Sequence, residues 1–482
     1  MKGKKILSTL LALLLLANLP VSALAAEWDI GSGDITVNAR SGGQTVTQGS
    51  QVDVPDSAPV ITGSSTENTV TINAEKDQTA NVTLSGANID VSDKGKAAVS
   101  TIGEGNVSIE LDGDSTLKSG LNHAGLEKNN GGNLTIADED KNGKLTSEGG
   151  GYGAGIGGGN RGTGSNITIS GGEVEATGGR WSAGIGGGQG GSGNNITISG
   201  GEVNATGGYA GAGIGGGENG DGSDIIISGG EVKATGGSYG AGIGGGCGDS
   251  GSDITISGGE VKATGGENGA GIGGGCYRDG NNITVSGDAK LKVQGGVEDD
   301  TDGAGAGIGN GGSNAYGSQI PGAEVEPDTS GLTTGWIEYY APGADMEKDK
   351  PTSTTVGAPS QPEKPTDPGA ERGADAPLYR VTDQDDKDIA HKAERKDGVL
   401  TVTVDADLAI LTGKLSSIDT LKRQGIEKIV FVTNKAASTF QAADLLEKGA
   451  SSDAYRLTHD GTTVTFVVSE KKTDVSGILI QP

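Results

Sequence analysis

The chain is short of the residues from which most globular cores are built. Aromatic residues fill 3% of its 482 positions, with three Phe and three Trp. Large rings supply much of the buried area of an ordinary core, so a core here has to come from small aliphatics and backbone ladders. Two cysteines exclude a disulfide-framed scaffold. Basic residues are also scarce, 36 Lys and Arg against 63 Asp and Glu, and the formal net charge of −27 argues against nucleic acid and anionic lipid as partners. Of the three histidines, His123, His391 and His459, none has a Cys or His at metal-ligand spacing, and all three read as surface residues. Beyond the N-terminal leader no run approaches the roughly 20 apolar residues of a membrane span.

What the chain has is glycine, 93 of them, arranged in a repeat. From Gly149 to Gly312 it writes near-copies of GAGIGGG, a glycine-rich turn, then (N/D)ITISGGEVxATGG. The markers Ile156, Ile185, Ile214, Ile243 and Ile272 are each 29 residues from the next; Ile308 follows 36 residues later, after an acidic insert at Glu298 to Asp302. A fixed period of this size marks a solenoid, in which a repeat buries its apolar edge by stacking on its neighbours. Inside a repeat the apolar residues alternate with polar ones (Ile167-Thr168-Ile169-Ser170, then Val174-Glu175-Ala176), which is the strand period. Glycine pairs follow each segment where the chain turns. Glycine at this density would cost about 1 kcal/mol per residue inside a helix.

Three short strands and three turns per 29 residues describe one coil of an all-β, right-handed parallel β-helix. Four inward ladders are expected: the Ile156 series; Ile167, Ile196, Ile225, Ile254 and Ile283; Ile169, Ile198, Ile227, Ile256 and Val285; and Val174, Val203, Val232 and Val261, with Leu291 taking the next valine place. Together, GAGIGGG and SGGxVxATGG resemble the glycine-rich repeat of secreted surface proteins of Gram-positive, often gut-dwelling, bacteria, a group labelled carbohydrate-binding-domain-containing or adhesin-like. The resemblance covers about 27–342. It implies a secreted or cell-surface adhesive role and supplies no catalytic residues.

Taken in order, Lys2, Lys4 and Lys5 precede the apolar run Ile6 to Leu19 and the small-x-small triplet Ala23-Leu24-Ala25. Residues 1–26 thus read as a secretory signal peptide. Residues 27–342 form the β-helix, with regular repeats over 149–312 and less regular coils before them; Trp28 is placed to cap one end and the cluster Trp336, Tyr339 and Tyr340 the other. Residues 343–377, rich in Pro, Thr, Ser, Glu and Lys, read as a linker. Residues 378–482 read as a small α+β domain, with strands at Val399 to Val404 and Ile429 to Val432, helices at Ser417 to Gln424 and Thr439 to Lys448, and a hairpin from Tyr455 to Val468.

Several constellations offer chemistry. Gly153-Ala154-Gly155-Ile156-Gly157-Gly158 fits G-x-G-x-x-G, but it recurs in every coil and no helix follows, so nucleotide binding is rejected. Tyr152, Trp181 and Tyr239 share one place in the repeat and Tyr209 is one residue off it; stacked coils line them along one edge, where ring faces suit the apolar C–H faces of sugars. Glu173, Glu202, Glu231 and Glu260 form a like-charged column whose carboxylates make it a candidate Ca²⁺ site. Cys247 and Cys276 hold the same place in adjacent coils, within disulfide reach at a strand spacing of about 4.8 Å, and either a bridge or a reduced pair fits. Thr168, Thr197, Thr255 and Thr284 make an outward hydroxyl row, interrupted by Ile226, which suits strands and leaves ice binding open. No unique set of convergent acids stands out. The expectation is an exported, non-catalytic carbohydrate-binding or adhesin-like surface protein whose partner is a polysaccharide or cell-surface glycan, with Ca²⁺ as the one candidate cofactor. A polysaccharide-active β-helix enzyme (lyase or glycosidase) and a structural spacer displaying the C-terminal domain are the alternatives.

Overall fold

The computed structural model describes residues 25–296, 303–315, 318–357 and, with short gaps, 379–472. All but the last two residues of the leader, the insert Glu298 to Asp302 and most of the Pro-rich stretch lie outside the described residues. The chain divides into two compact units at Ser360.

Each regular coil of the first unit lays down three short strands, as in Ile185–Gly186, Gly193–Ile198 and Glu202–Thr206. Successive coils pair in parallel and build three sheets of twelve, ten and eleven strands, the faces of a right-handed parallel β-helix. We number these sheets 1, 2 and 3; they carry Ile185, Ile196 and Val203 respectively. The four ladders stand as the spacing implies. Ile156, Ile185, Ile214, Ile243, Ile272 and Ile308 are consecutive partners in sheet 1, so the longer connection before Ile308 does not break the stack. Ile167 to Ile283 and Ile169 to Val285 run through sheet 2. In sheet 3, Val261 pairs with Leu291. All of these side chains are buried. Their combined burial, at about 25 cal/mol per Å² of apolar surface, replaces the aromatic core that the composition rules out.

The less regular coils before Gly149 belong to the same solenoid, with Val70–Ala74, Val99–Gly103 and Leu126–Lys128 in parallel register below Ile156. Sheet 1 ends in antiparallel strands, Ile35–Arg40, Gly43–Gln48 and Gln51–Pro55, which fold the open edge back on itself. An exposed run of unpaired backbone groups would otherwise template association. Trp28 is buried at the first rung of sheet 2, where its indole N–H donates to Asp56 Oδ2 at 2.9 Å.

The other end departs from the sequence reading. Trp336–Tyr340 forms the last parallel rung of sheet 3, and Ser353–Val356 closes it antiparallel. Residues 343–357, expected to be linker, are therefore part of the cap. Three contacts hold them: Met346 is buried, Gln294 Nε2 donates to the carbonyls of Ala341 and Ala344, and Glu347 pairs with two lysines of sheet 3. Composition alone does not reveal such tethers.

The second unit is small and mainly β. Arg380–Thr382, Ala409–Lys414, Ala454–His459, Val464–Val468 and Lys471–Lys472 form one antiparallel sheet; His391–Lys396, Val399–Val404, Lys428–Val432 and Ala437–Gln441 form a mixed sheet, in which Val399–Val404 and Lys428–Val432 are parallel. Two short helices, α1 (Leu415–Arg423) and α2 (Ala442–Leu446), pack with them. The second helix starts later than its pattern implies, and the end of that pattern at Glu447 and Lys448 lies outside the described residues. Thr439 and Phe440 lie in a strand, where Phe440 is buried opposite Ile429, and this pairing overrides local helix preference. His459 is likewise not a surface residue. It is fully buried, with Ser438 Oγ and Thr433 Oγ1 at 2.8 and 3.2 Å from its two ring nitrogens, and burial pushes its pKa down to about 4. Among the described residues no helix is long and apolar enough to cross a membrane.

Candidate functional site

The turn from sheet 3 to sheet 1 carries the rings. Its glycines lie flat on the coil below: a Cβ on Gly208 would stand 1.8 Å from the carbonyl oxygen of Gly179. Such close stacking drives the residues that do have side chains outward. Trp181 and Tyr209 meet edge to face at 5.6 Å between centroids, and Tyr209 meets Tyr239 in the same way at 5.0 Å. The row is a chain of T-shaped contacts, which the ring quadrupole favours over flush stacking. The one-residue offset of Tyr209 places it in register with Arg180, and the Arg180 guanidinium packs over both neighbours, 4.8 Å from the Trp181 ring and 5.6 Å from that of Tyr209. Tyr209 remains 41% exposed. Tyr152 lies half-buried one coil below, and the ring-on-ring contacts begin at Trp181. Asn268 ends the row; it is buried and donates to the Gly303 carbonyl at 2.7 Å.

A second column runs beside the rings. The turn from sheet 1 to sheet 2 reaches back to it through backbone hydrogen bonds: Gln189 N–H donates to Tyr152 O at 3.1 Å, Glu218 N–H to Trp181 O at 2.8 Å, Cys247 N–H to Ala210 O at 2.8 Å and Cys276 N–H to Tyr239 O at 2.9 Å. Gln189 Nε2 also donates to Glu218 Oε2 at 2.7 Å. Cys247 and Cys276 form a disulfide with a Cα separation of 4.9 Å, which decides between the two states the spacing left open. Sequence reasoning missed Arg180, Gln189 and Glu218 as neighbours of the rings. The signal was present: Gln189 and Glu218 hold the same place after the marker isoleucine as the two cysteines.

The glutamate column also stands, on the outer face of sheet 3. Glu173, Glu202, Glu231 and Glu260 are consecutive partners, ended by Lys144 on one side and Lys290 on the other. Lys144 Nζ lies 2.6 Å from Glu173 and 2.9 Å from Glu175, and its hydrogen bond holds the Glu175 carboxyl below the usual range. Two residues along the same strands run Asn204, Lys233, Lys262 and Lys292. Between the two columns lies an open groove of about 320 Å³. The carboxylates stand in a line and do not surround a point, and among the described residues no three His, Cys, Asp or Glu side chains converge as a metal shell.

His123 is not isolated either: its Nδ1 lies 2.8 Å from Glu127 Oε2. That carboxylate oxygen also accepts the Ala124 N–H, a group that in later coils is satisfied by a glycine carbonyl, as in Ala154 N–H to Gly158 O and Ala183 N–H to Gly187 O. Glu127 thus replaces a turn carbonyl and does structural work. Lys128, its neighbour, points inward; it is buried, donates to Asn130 O at 2.7 Å, and burial pushes its pKa down to about 8.

A family model described as Beta helix repeat matches residues 167–189, 196–218, 225–247 and 254–276. The repeats are β-helix repeats. Each matched segment starts at an inward isoleucine of sheet 2 and ends at Gln189, Glu218, Cys247 or Cys276, so it spans the ring turn and its polar neighbour. Comparison with curated proteins and with solved structures gives no match.

Proposed function

We propose that this β-helix is an exported surface or secreted protein that binds a linear polysaccharide or cell-surface glycan along the Trp181–Tyr209–Tyr239 edge without cleaving it. The observation that carries the reading is the ring row itself, with Tyr209 41% exposed and a guanidinium packed over two rings. Aromatic faces take sugar C–H faces, and neighbouring polar side chains fix orientation. Arg180, Gln189 and Glu218 supply such groups beside the rings. The coils repeat at about 4.8 Å, close to the length of one sugar unit, so equivalent groups meet successive sugars. The test is retention of the purified protein on plant, mucin and bacterial polysaccharides, with release of reducing ends scored in parallel. Retention without release, lost in Trp181→Ala and Tyr209→Ala, is expected. Release of reducing ends would overturn the non-catalytic reading, and no retention would favour a spacer.

A further inference from the structure

The groove on sheet 3 has two rails of opposite charge at one pitch. Glu202, Glu231 and Glu260 form one, continued by Lys290 beyond Glu260, and among the described residues none of the three makes an ion pair. Lys233, Lys262 and Lys292 form the other. Lys233 is exposed and takes no ion pair among the described residues. The other two lysines share a carboxylate from the cap: Glu347 Oε1 lies 3.1 Å from Lys262 Nζ, and Oε2 lies 3.0 Å from Lys292 Nζ. The Glu347 carboxylate thus spans two successive coils, seated as a ligand carboxylate would be. Its loop is tied by Gln294 to the carbonyls of Ala341 and Ala344.

We propose that this groove is a second ligand track, for a linear glycan bearing both ammonium and carboxylate groups, and that Glu347 holds the carboxylate positions at Lys262 and Lys292 until such a ligand displaces it. The chemistry follows from the rails. A pure polyanion meets the lysines but is repelled by the glutamates two residues away; a pure polycation meets the reverse. Only a chain carrying both charges satisfies both rails. The pitch selects the backbone. An extended peptide advances about 3.3 Å per residue and drifts out of register with coils about 4.8 Å apart, whereas a sugar unit keeps step. The site shares with the ring edge only the idea of a linear glycan and uses different residues.

The test uses the full chain with carboxymethyl chitosan oligosaccharides as the probe, against polygalacturonate and unmodified chitosan oligosaccharides, by titration calorimetry at low and high salt. Carboxymethyl chitosan is expected to bind, more weakly at high salt, because exposed charges are screened. Glu347→Gln removes the internal competitor, and two partly exposed ion pairs translate into binding about three- to tenfold tighter. Lys233→Gln is expected to weaken binding at least about threefold, with each variant also measured in a Trp181→Ala background so that any share of the ring edge is removed; failure of the ring-edge reading would show instead with neutral glycans. No binding of the probe, equal affinity in Glu347→Gln, full binding in Lys233→Gln, or polygalacturonate binding as tightly as the zwitterion would each overturn the proposal.

Discussion

Replacing Gly215 by alanine tests why the repeat spells so many glycines. Gly215 follows Ile214 in sheet 1 and holds φ at +131°. A Cβ there would stand 2.0 Å from the carbonyl oxygen of Gly244 in the next coil, where ordinary contact begins at 3.4 Å. The coils would have to part by more than an ångström, and the hydrogen bonds from Gly216 N–H to Gly244 O at 2.9 Å and from Ile214 N–H to Gly242 O at 3.0 Å would stretch. Backbone strain at such a φ costs about 1–3 kcal/mol, and each lost hydrogen bond about 1 kcal/mol. The expected loss is about 3–5 kcal/mol. Gly190 is the control. Its φ is +71°, and a Cβ there would meet only Arg161 Cγ, at 3.8 Å. Arg161, Asn219 and Tyr277 hold the same left-handed conformation at the equivalent place in other coils, so Gly190→Ala should cost only about 1 kcal/mol. Urea unfolding of the full chain, followed by circular dichroism, measures both. Equal losses in the two variants, or a loss below about 1 kcal/mol for Gly215→Ala, would refute the argument that coil-to-coil approach dictates the glycines.

Three further outcomes follow from the same structure. Lys128→Met should stabilise the solenoid at pH 7 by about 2 kcal/mol, since a lysine whose pKa burial has pushed down to about 8 is costly to keep charged and its one hydrogen bond offsets part of that; a midpoint in urea below that of wild type would contradict this. The second unit should weaken in acid. The folded pKa of His459, pushed down to about 4 by burial, lies below its unfolded value near 6.5, so the unfolded chain binds more protons between the two; stability is full above about pH 6.5 and falls by up to about 3 kcal/mol as pH drops to 4. Native-state hydrogen exchange of the strand Lys428–Val432 at pH 7 and 4.5 reads this, and the slope should flatten in His459→Gln. Reduction of Cys247–Cys276 opens a cross-link spanning 29 residues and should cost about 3–4 kcal/mol by the chain-entropy estimate; urea titrations with and without reductant should differ by that amount, and coincident curves would show that the coils need no clamp.

Much of the fold was legible because a solenoid writes its geometry at a fixed period. Ile214 has to face inward, Gly215 has to lack a side chain, and both facts recur every 29 residues, so each coil confirms the last. Legibility ended where the period ended. The cap at 341–357 is held by particular contacts of Gln294, Met346 and Glu347 that no local pattern announces. His459 looked like a surface residue because the groups that pack on its ring, Phe431, Thr433 and Ser438, lie in or beside the other sheet of the unit, 21 or more positions earlier in the chain. The candidate sites were half legible for a related reason. Register identified the rings, the glutamates and the cysteines as columns, but their neighbours belong to other turns: Glu218 meets Trp181, 37 positions earlier in the chain.

That division also says where function has room to reside. Inward positions and turn glycines are fixed by stacking, so they carry little that is particular to a ligand. Outward positions are free of the fold, and a residue that departs there from its own column has no structural reason to do so. By that criterion Arg180 and Tyr209 depart on the ring edge, where the equivalent positions of other coils hold Gly151, Ser238 and Glu267. Lys233 and Lys262 depart on sheet 3, where earlier coils hold Glu175 and Asn204. These departures lie on two neighbouring stretches of each coil, the outer face of sheet 3 and the turn that follows it; others lie elsewhere, as Ile226 does in the threonine row of sheet 2 and Gln189, Glu218, Cys247 and Cys276 do in the turn from sheet 1 to sheet 2. Random drift of a duplicated repeat would leave every such departure without effect on binding. Exchanging the outward residues of one coil for those of its neighbour separates the two accounts, because it should leave unfolding unchanged within about 0.5 kcal/mol while altering glycan retention only when the exchanged residues come from these two stretches.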